Sequence, residues 1–123
     1  MKVTREELIY IHKRLWNGVR EYIKHSHDDE TVPTFHIKDA CIENMINENK
    51  VSKQTLKWVY RNSACVFCAL FLQDFCKNCP LHDCTTPESL YQLVLNGSEE
   101  ACVKIRDLIY KADIPDYIEI EGE

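Results

Sequence analysis

Apolar residues recur at intervals of three and four over most of this chain, and the pattern predicts a mainly α protein. Leu8, Ile11, Leu15, Trp16, Val19, Tyr22 and Ile23 form one such series. They predict an amphipathic helix through about residue 24. Its start is marked by Thr4 followed three residues later by Glu7, a capping box in which each side chain satisfies the other's backbone N–H. His12 falls between Leu8 and Trp16 on the apolar face, where a packed, hydrogen-bonded histidine is expected rather than a ligand. A second helix is expected from about Lys38 to Asn49, with Ile37, Cys41, Met45 and Ile46 facing inward. Cys41 has no cysteine near it and reads as a small apolar residue.

Ser52 has the character of an N-cap for a third helix that turns Leu56, Val59 and Tyr60 inward and ends near Arg61. Further on, Thr86 can cap, Pro87 suits a first helical position, and Asn96-Gly97 stops the helix. Ser98 opens the next helix with Glu99 and Glu100 at its positive end. Ala101, Cys102, Ile105, Leu108 and Ile109 make its inner face, so Cys102 is also expected in the core. No repeat and no run of strands is evident. The polar connection "HSHDDETVPTFH" holds His25, His27, Asp28 and Asp29. Nothing elsewhere completes a metal site with these four, and they read as a solvated loop.

The periodicity is interrupted by "CVFCALFLQDFCKNCPLHDC", which holds five of the seven cysteines. Cys65 and Cys68 make one C-x-x-C, Cys76 and Cys79 a second, and Cys84 follows. Two intervening residues let a tight turn aim two thiolates at one ion, and two such pairs supply the tetrahedral set of a closed structural zinc site. Four of the five sulfurs would bind one zinc ion. Cys65, Cys68, Cys76 and Cys79 are the simplest set; Cys84 can replace Cys76, and His82 can replace either. An iron–sulfur cluster is the less favoured alternative, because the spacing departs from the close C-x-x-C-x-x-C run. A disulfide framework is disfavoured by the odd number of cysteines. Four thiolates leave no position for water or substrate, so the metal is expected to be structural. Structural zinc contributes roughly 10–16 kcal/mol in finger peptides, against about 5–15 kcal/mol of net stability for a whole domain. Its loss should unfold at least residues 62–86.

Length and charge refine this picture. A chain of 123 residues is expected to form one domain, here over residues 1–112. The net charge of −5 resides in "DIPDYIEIEGE", residues 113–123, which carries five acids and no base. The remainder is neutral. The segment reads as an acidic tail in solvent, with two sharper alternatives: an arm that docks on a basic partner, or an edge strand from the alternating "YIEIE". The start lacks the pattern of a secretory signal, and no apolar run approaches the roughly 18–20 residues of a membrane span. A cytoplasmic setting with reduced thiols and no membrane partner is expected. Lys50, Lys53, Lys57 and Arg61 recur at three and four, and could form a basic stripe for nucleic acid. No G-x-S-x-G, phosphate loop or H-E-x-x-H points to an enzyme.

The succession C-x-x-C, C-x-x-C-P-L, Cys and Thr-Pro, carried by Cys65, Cys68, Cys76, Cys79-Pro80-Leu81, Cys84 and Thr86-Pro87, resembles a group of small uncharacterised bacteriophage proteins. Tyr91, the lead-in "ENKVSKQTLKWV" and the early Leu15-Trp16 are also similar to them. The likeness covers residues 40–92 and, more loosely, the first helix. It implies phage origin and a cysteine-bound metal, and brings no established activity. The combined expectation is a non-enzymatic, zinc-stabilised module that binds a host or viral protein, with nucleic acid as the alternative partner. Oligomeric state is left open.

Overall fold

The computed structural model describes residues 2–25, 34–59, 66–67, 89–112 and 114–119. It is mainly helical, and one long helix organises the rest. α1 (Arg5–His25) starts where the sequence places it. The Thr4 N–H donates to Glu7 Oε1 at 3.1 Å, and the Glu7 N–H donates back to Thr4 Oγ1 at 3.1 Å. Glu6 and Glu7 occupy the first turn, Lys24 and His25 the last, so both ends oppose the helix dipole with the favourable sign. Leu8, Ile11, His12, Leu15, Trp16 and Val19 form the buried stripe. Tyr22, expected on that stripe, is 42% exposed.

α2 (Thr34–Glu48) begins four residues earlier than its apolar pattern suggests. Met45 is fully enclosed; Ile37, Cys41 and Ile42 are half-buried against the core, and Ile46, expected inward, is exposed. Gly18 explains how α2 approaches α1. A Cβ there would stand 3.0 Å from Cys41 Sγ and 3.5 Å from Ile37 Cγ2. Glycine in a helix costs about 1 kcal/mol relative to alanine, and here it opens the space the neighbouring helix occupies. Asn49, at φ 56°, turns the chain out of α2.

α3 (Lys53–Val59) is capped as expected: Ser52 Oγ accepts from the Thr55 N–H at 3.1 Å. Leu56 and Val59 are buried, and so is Thr55, whose hydroxyl pairs with that of Ser52 at 2.8 Å. Tyr60 and Arg61 lie outside the described residues. α4 (Leu90–Leu95) is capped by Ser89; the expected cap Thr86 and first-turn Pro87 lie outside the described residues. Ser89 has extended backbone and its hydroxyl accepts from the Gln92 N–H at 3.2 Å, which sets the helix start. The end follows Asn96-Gly97. Gly97 adopts φ 93°, its N–H reaches Val94 O, and the Ser98 N–H reaches Leu93 O, the paired bonds of a Schellman turn. α5 (Glu99–Leu108) follows at once, with Ser98 Oγ accepting from Ala101 N at 3.1 Å.

α5 packs along α1 and against α4, while α2 crosses α1 separately. The core fills the space between them and includes Trp16, Leu56, Val94, Cys102, Ile105 and Ile109. A small antiparallel ribbon closes it. β1 (Lys2–Thr4) pairs with β2 (Tyr117–Glu119), with Val3 opposite Ile118. The Arg5 N–H donates to Asp116 O at 2.9 Å, and Ile114 is buried. Residues 114–119 are thus joined to the body rather than forming a free acidic tail, and "YIE" takes the edge-strand alternative. β1 had no signal in the sequence, since three residues are too few to show alternation. Among the described residues no helix is long and apolar enough to cross a membrane.

Candidate functional site

The expected zinc ligands Cys65, Cys68, Cys76, Cys79 and Cys84, with the alternative His82, lie outside the described residues. So do His27, Asp28 and Asp29 of the polar connection; His25 is exposed at the end of α1, 3.4 Å from Glu21. Among the described residues no three His, Cys, Asp or Glu side chains converge as a metal site. Cys41 and Cys102 are free thiols. Burial raises the pKa of both, that of Cys102 to about 11 with Glu99 adding to the effect. Each stays a neutral packing group, as its isolation in sequence implies.

What the structure does describe of the cysteine segment is its anchor. Val66 and Phe67, the two residues between Cys65 and Cys68, are helical and almost wholly buried, at 1% and 0% exposure. A C-x-x-C in a surface loop would leave this pair in solvent. Here they belong to the core, and each flanking cysteine is one peptide bond from a core residue. The chemistry of the donor set, five thiols in twenty residues on such an anchor, fits a closed structural metal.

Phe67 ends in a row of buried rings. Its centroid is 4.6 Å from that of His12, with the planes at 49°. His12 meets Trp16 edge-on at 6.3 Å, and Trp16 meets Tyr91 at 6.3 Å and 89°. These are the distances and tilts at which aromatic quadrupoles attract. The row links α1, α4 and the first C-x-x-C.

His12 also ties α1 to α5. Its Nε2 lies 2.9 Å from Ile105 O, a contact that requires the Nε2–H tautomer because a carbonyl only accepts. Nδ1 then carries a lone pair, and that atom is buried with no partner among the described residues, as is the indole N–H of Trp16. Burial pushes the His12 pKa down to about 4, with the Ile105 bond opposing the shift. The ring is neutral at physiological pH.

Two surfaces complete the inventory. Lys50, Lys53 and Lys57 are exposed along the start of α3, and none has a carboxylate partner among the described residues; Arg61 lies outside them. The second surface escaped the sequence reading. It is a groove of about 420 Å³ on the outer side of α1, lined by Glu6, Ile9, Tyr10, Lys13, Arg14 and Asn17. Glu48 of α2 accepts from the Tyr10 hydroxyl and from Arg14 Nη2, the latter at 2.6 Å. On the other side Lys13 Nζ donates to the Tyr110 hydroxyl at 2.9 Å. The available signal was Ile9 and Tyr10, two bulky residues off the buried stripe of α1. No family model matches the chain, and no curated protein or solved structure shows significant similarity to it.

Proposed function

We propose that the chain is a non-enzymatic protein-interaction module whose fold is stapled by one zinc ion, bound by four of Cys65, Cys68, Cys76, Cys79 and Cys84. The observation that carries the metal role is the burial of Val66 and Phe67 between the first two cysteines. A metal held there braces a segment already rooted in the core, and four thiolates close its coordination shell. The interaction role is supported by the tyrosine-lined groove beside α1, since tyrosine and arginine are the side chains that most often dominate binding energy at interfaces. The resemblance to phage proteins makes an accessory protein acting on a host or viral protein in the cytoplasm the corresponding biological setting.

The test joins metal analysis to partner capture. Anaerobically purified protein should contain one zinc per chain, and chelation should loosen the contact of Phe67 with His12. Protein with neither zinc nor iron would end the metal reading; a brown, sulfide-containing sample would replace zinc by an iron–sulfur cluster. Crosslinking in cells should give a reproducible protein partner that is lost when the metal is removed.

A nucleic-acid-binding module is the second reading, favoured by Lys50, Lys53 and Lys57, which are exposed and have no carboxylate partner among the described residues. Charge reversal there should abolish a salt-sensitive gel shift if this reading holds.

A further inference from the structure

We propose that the groove on the outer side of α1 is the docking surface, and that its occupant is an acidic peptide segment of the partner carrying an apolar side chain among its carboxylates. This rests on the protein-interaction reading and adds to it the place and the chemistry of the partner.

The argument is one of charge complementarity around an apolar floor. Ile9 and the ring of Tyr10 line the groove, and Tyr110, 54% exposed, stands beside it. Most of the nearby charge is already matched. Arg14 pairs with Glu48, and Arg106 pairs with Asp107 at 3.0 Å while also donating to Asn17 Oδ1. Two cations are left without a carboxylate among the described residues. Lys13 Nζ lies 5.6 Å from the Tyr110 ring centroid on the α5 side. Lys50 Nζ lies 5.7 Å from the Tyr10 centroid on the α2 side. Among the described residues the groove therefore has one ammonium without a carboxylate on each side, Lys13 held by its hydrogen bond to the Tyr110 hydroxyl and Lys50 resting on the Tyr10 ring. Each keeps N–H bonds for an incoming acceptor.

The same map separates a peptide from a nucleic acid. Glu6 closes the groove seven residues before Lys13, roughly 10 Å along the helix, and Glu48 sits on the α2 rim. A phosphate backbone would place regular negative charge along the whole path, including both glutamates. A peptide can place discrete carboxylates at Lys13 and Lys50 and apolar atoms over Ile9. Like-charge contact is what excludes the wrong partner.

The test is a titration of the isotope-labelled, zinc-loaded full chain, followed by NMR, with the peptide acetyl-Glu-Leu-Glu-Glu-Leu-Glu-amide. Its Gln-for-Glu counterpart and a short oligothymidylate serve as comparison probes. The acidic peptide should shift the amides of Tyr10, Lys13, Asn17 and Tyr110. The double variant Lys13→Glu/Lys50→Glu should weaken it about tenfold or more, as two charge-assisted contacts imply. Thermal melting checks that this variant folds, and Tyr110→Ser, which removes the wall without changing charge, is a second variant expected to weaken binding. Equal binding of the Gln peptide, unchanged affinity in the double variant, or no shifts at the groove would each overturn the proposal. If the double variant still retains a crosslinked protein partner, the docking site is wrong while the interaction reading stands. If the oligothymidylate takes the groove more tightly than the peptide, both fall.

Discussion

α1 meets its two helical neighbours in different ways. Toward α5 the contact is continuous and apolar: Leu8, Ile11, Leu15 and Trp16 face Cys102, Ile105 and Ile109 within one buried cluster, and His12 adds a hydrogen bond to the Ile105 carbonyl. Toward α2 the contact is a close approach at Gly18, with Met45 of α2 fully enclosed, supported by polar links from Tyr10 and Arg14 to Glu48. The first interface excludes water and should set global stability. The second is partly exposed and should open at lower free-energy cost. A surface built on that second side has room to adjust to a partner, while the cysteine segment is anchored at the first through the contact of Phe67 with His12.

The largest effect should come from removing the anchor on the α5 side. Phe67→Ala is expected to cost about 3–5 kcal/mol, the range for a buried phenylalanine, as measured by urea unfolding of the zinc-loaded protein. A loss well under that range would mean that Phe67 is not part of the cooperative core.

Acid should attack the same interface. Free histidine titrates near 6.5 and His12 near 4 in the folded chain, so below pH 6.5 the unfolded state binds the extra proton. The stability contributed by neutral His12 is complete above about pH 6.5 and is lost as pH falls toward 4, up to about 3 kcal/mol. Unfolding midpoints of the native chain and His12→Gln, compared across that range, should converge at the acid end. Parallel curves would refute the assignment.

The α2 side should respond less. Gly18→Val places new atoms against Cys41 and Ile37 and should cost about 1–3 kcal/mol. Combining it with Cys41→Ala should recover part of that loss, and strict additivity in the double-mutant cycle would show that the close approach is not what the glycine serves. The smallest effect is expected for Glu48→Gln. The Arg14–Glu48 pair is more than a third exposed on both sides, and such pairs contribute about 0–1 kcal/mol. Its loss should alter hydrogen exchange in α2 before it alters the global midpoint.

The two interfaces also differ in how far the sequence foretells them. The α1–α5 interface is written in strong local signals: the Thr4–Glu7 box, Ser98 as a cap, and apolar positions at helical spacing. α2 carries a weaker stripe, and Ile46, assigned inward, is exposed. The cap at Ser89 was not singled out in the sequence, where Thr86-Pro87 gives the stronger local start signal; Thr86 lies outside the described residues. The cysteine spacing announces a metal without reference to the fold, but nothing local shows that Val66 and Phe67 are core residues. The groove was invisible, because Tyr10 and Tyr110 are a hundred residues apart along the chain.

By itself the sequence determined the caps at Thr4, Ser52 and Ser98, the stop at Asn96-Gly97 and most of the buried stripes of α1 and α5. Those are short-range matters of capping, backbone conformation and residue spacing. Only the tertiary structure decided that His12 bonds to a carbonyl ninety-three residues away, that residues 2–4 pair with 117–119, and that Lys13 meets Tyr110 while Lys50 meets Tyr10. Such contacts depend on the relative placement of whole helices. That placement follows from the summed packing of the core, which no local window contains.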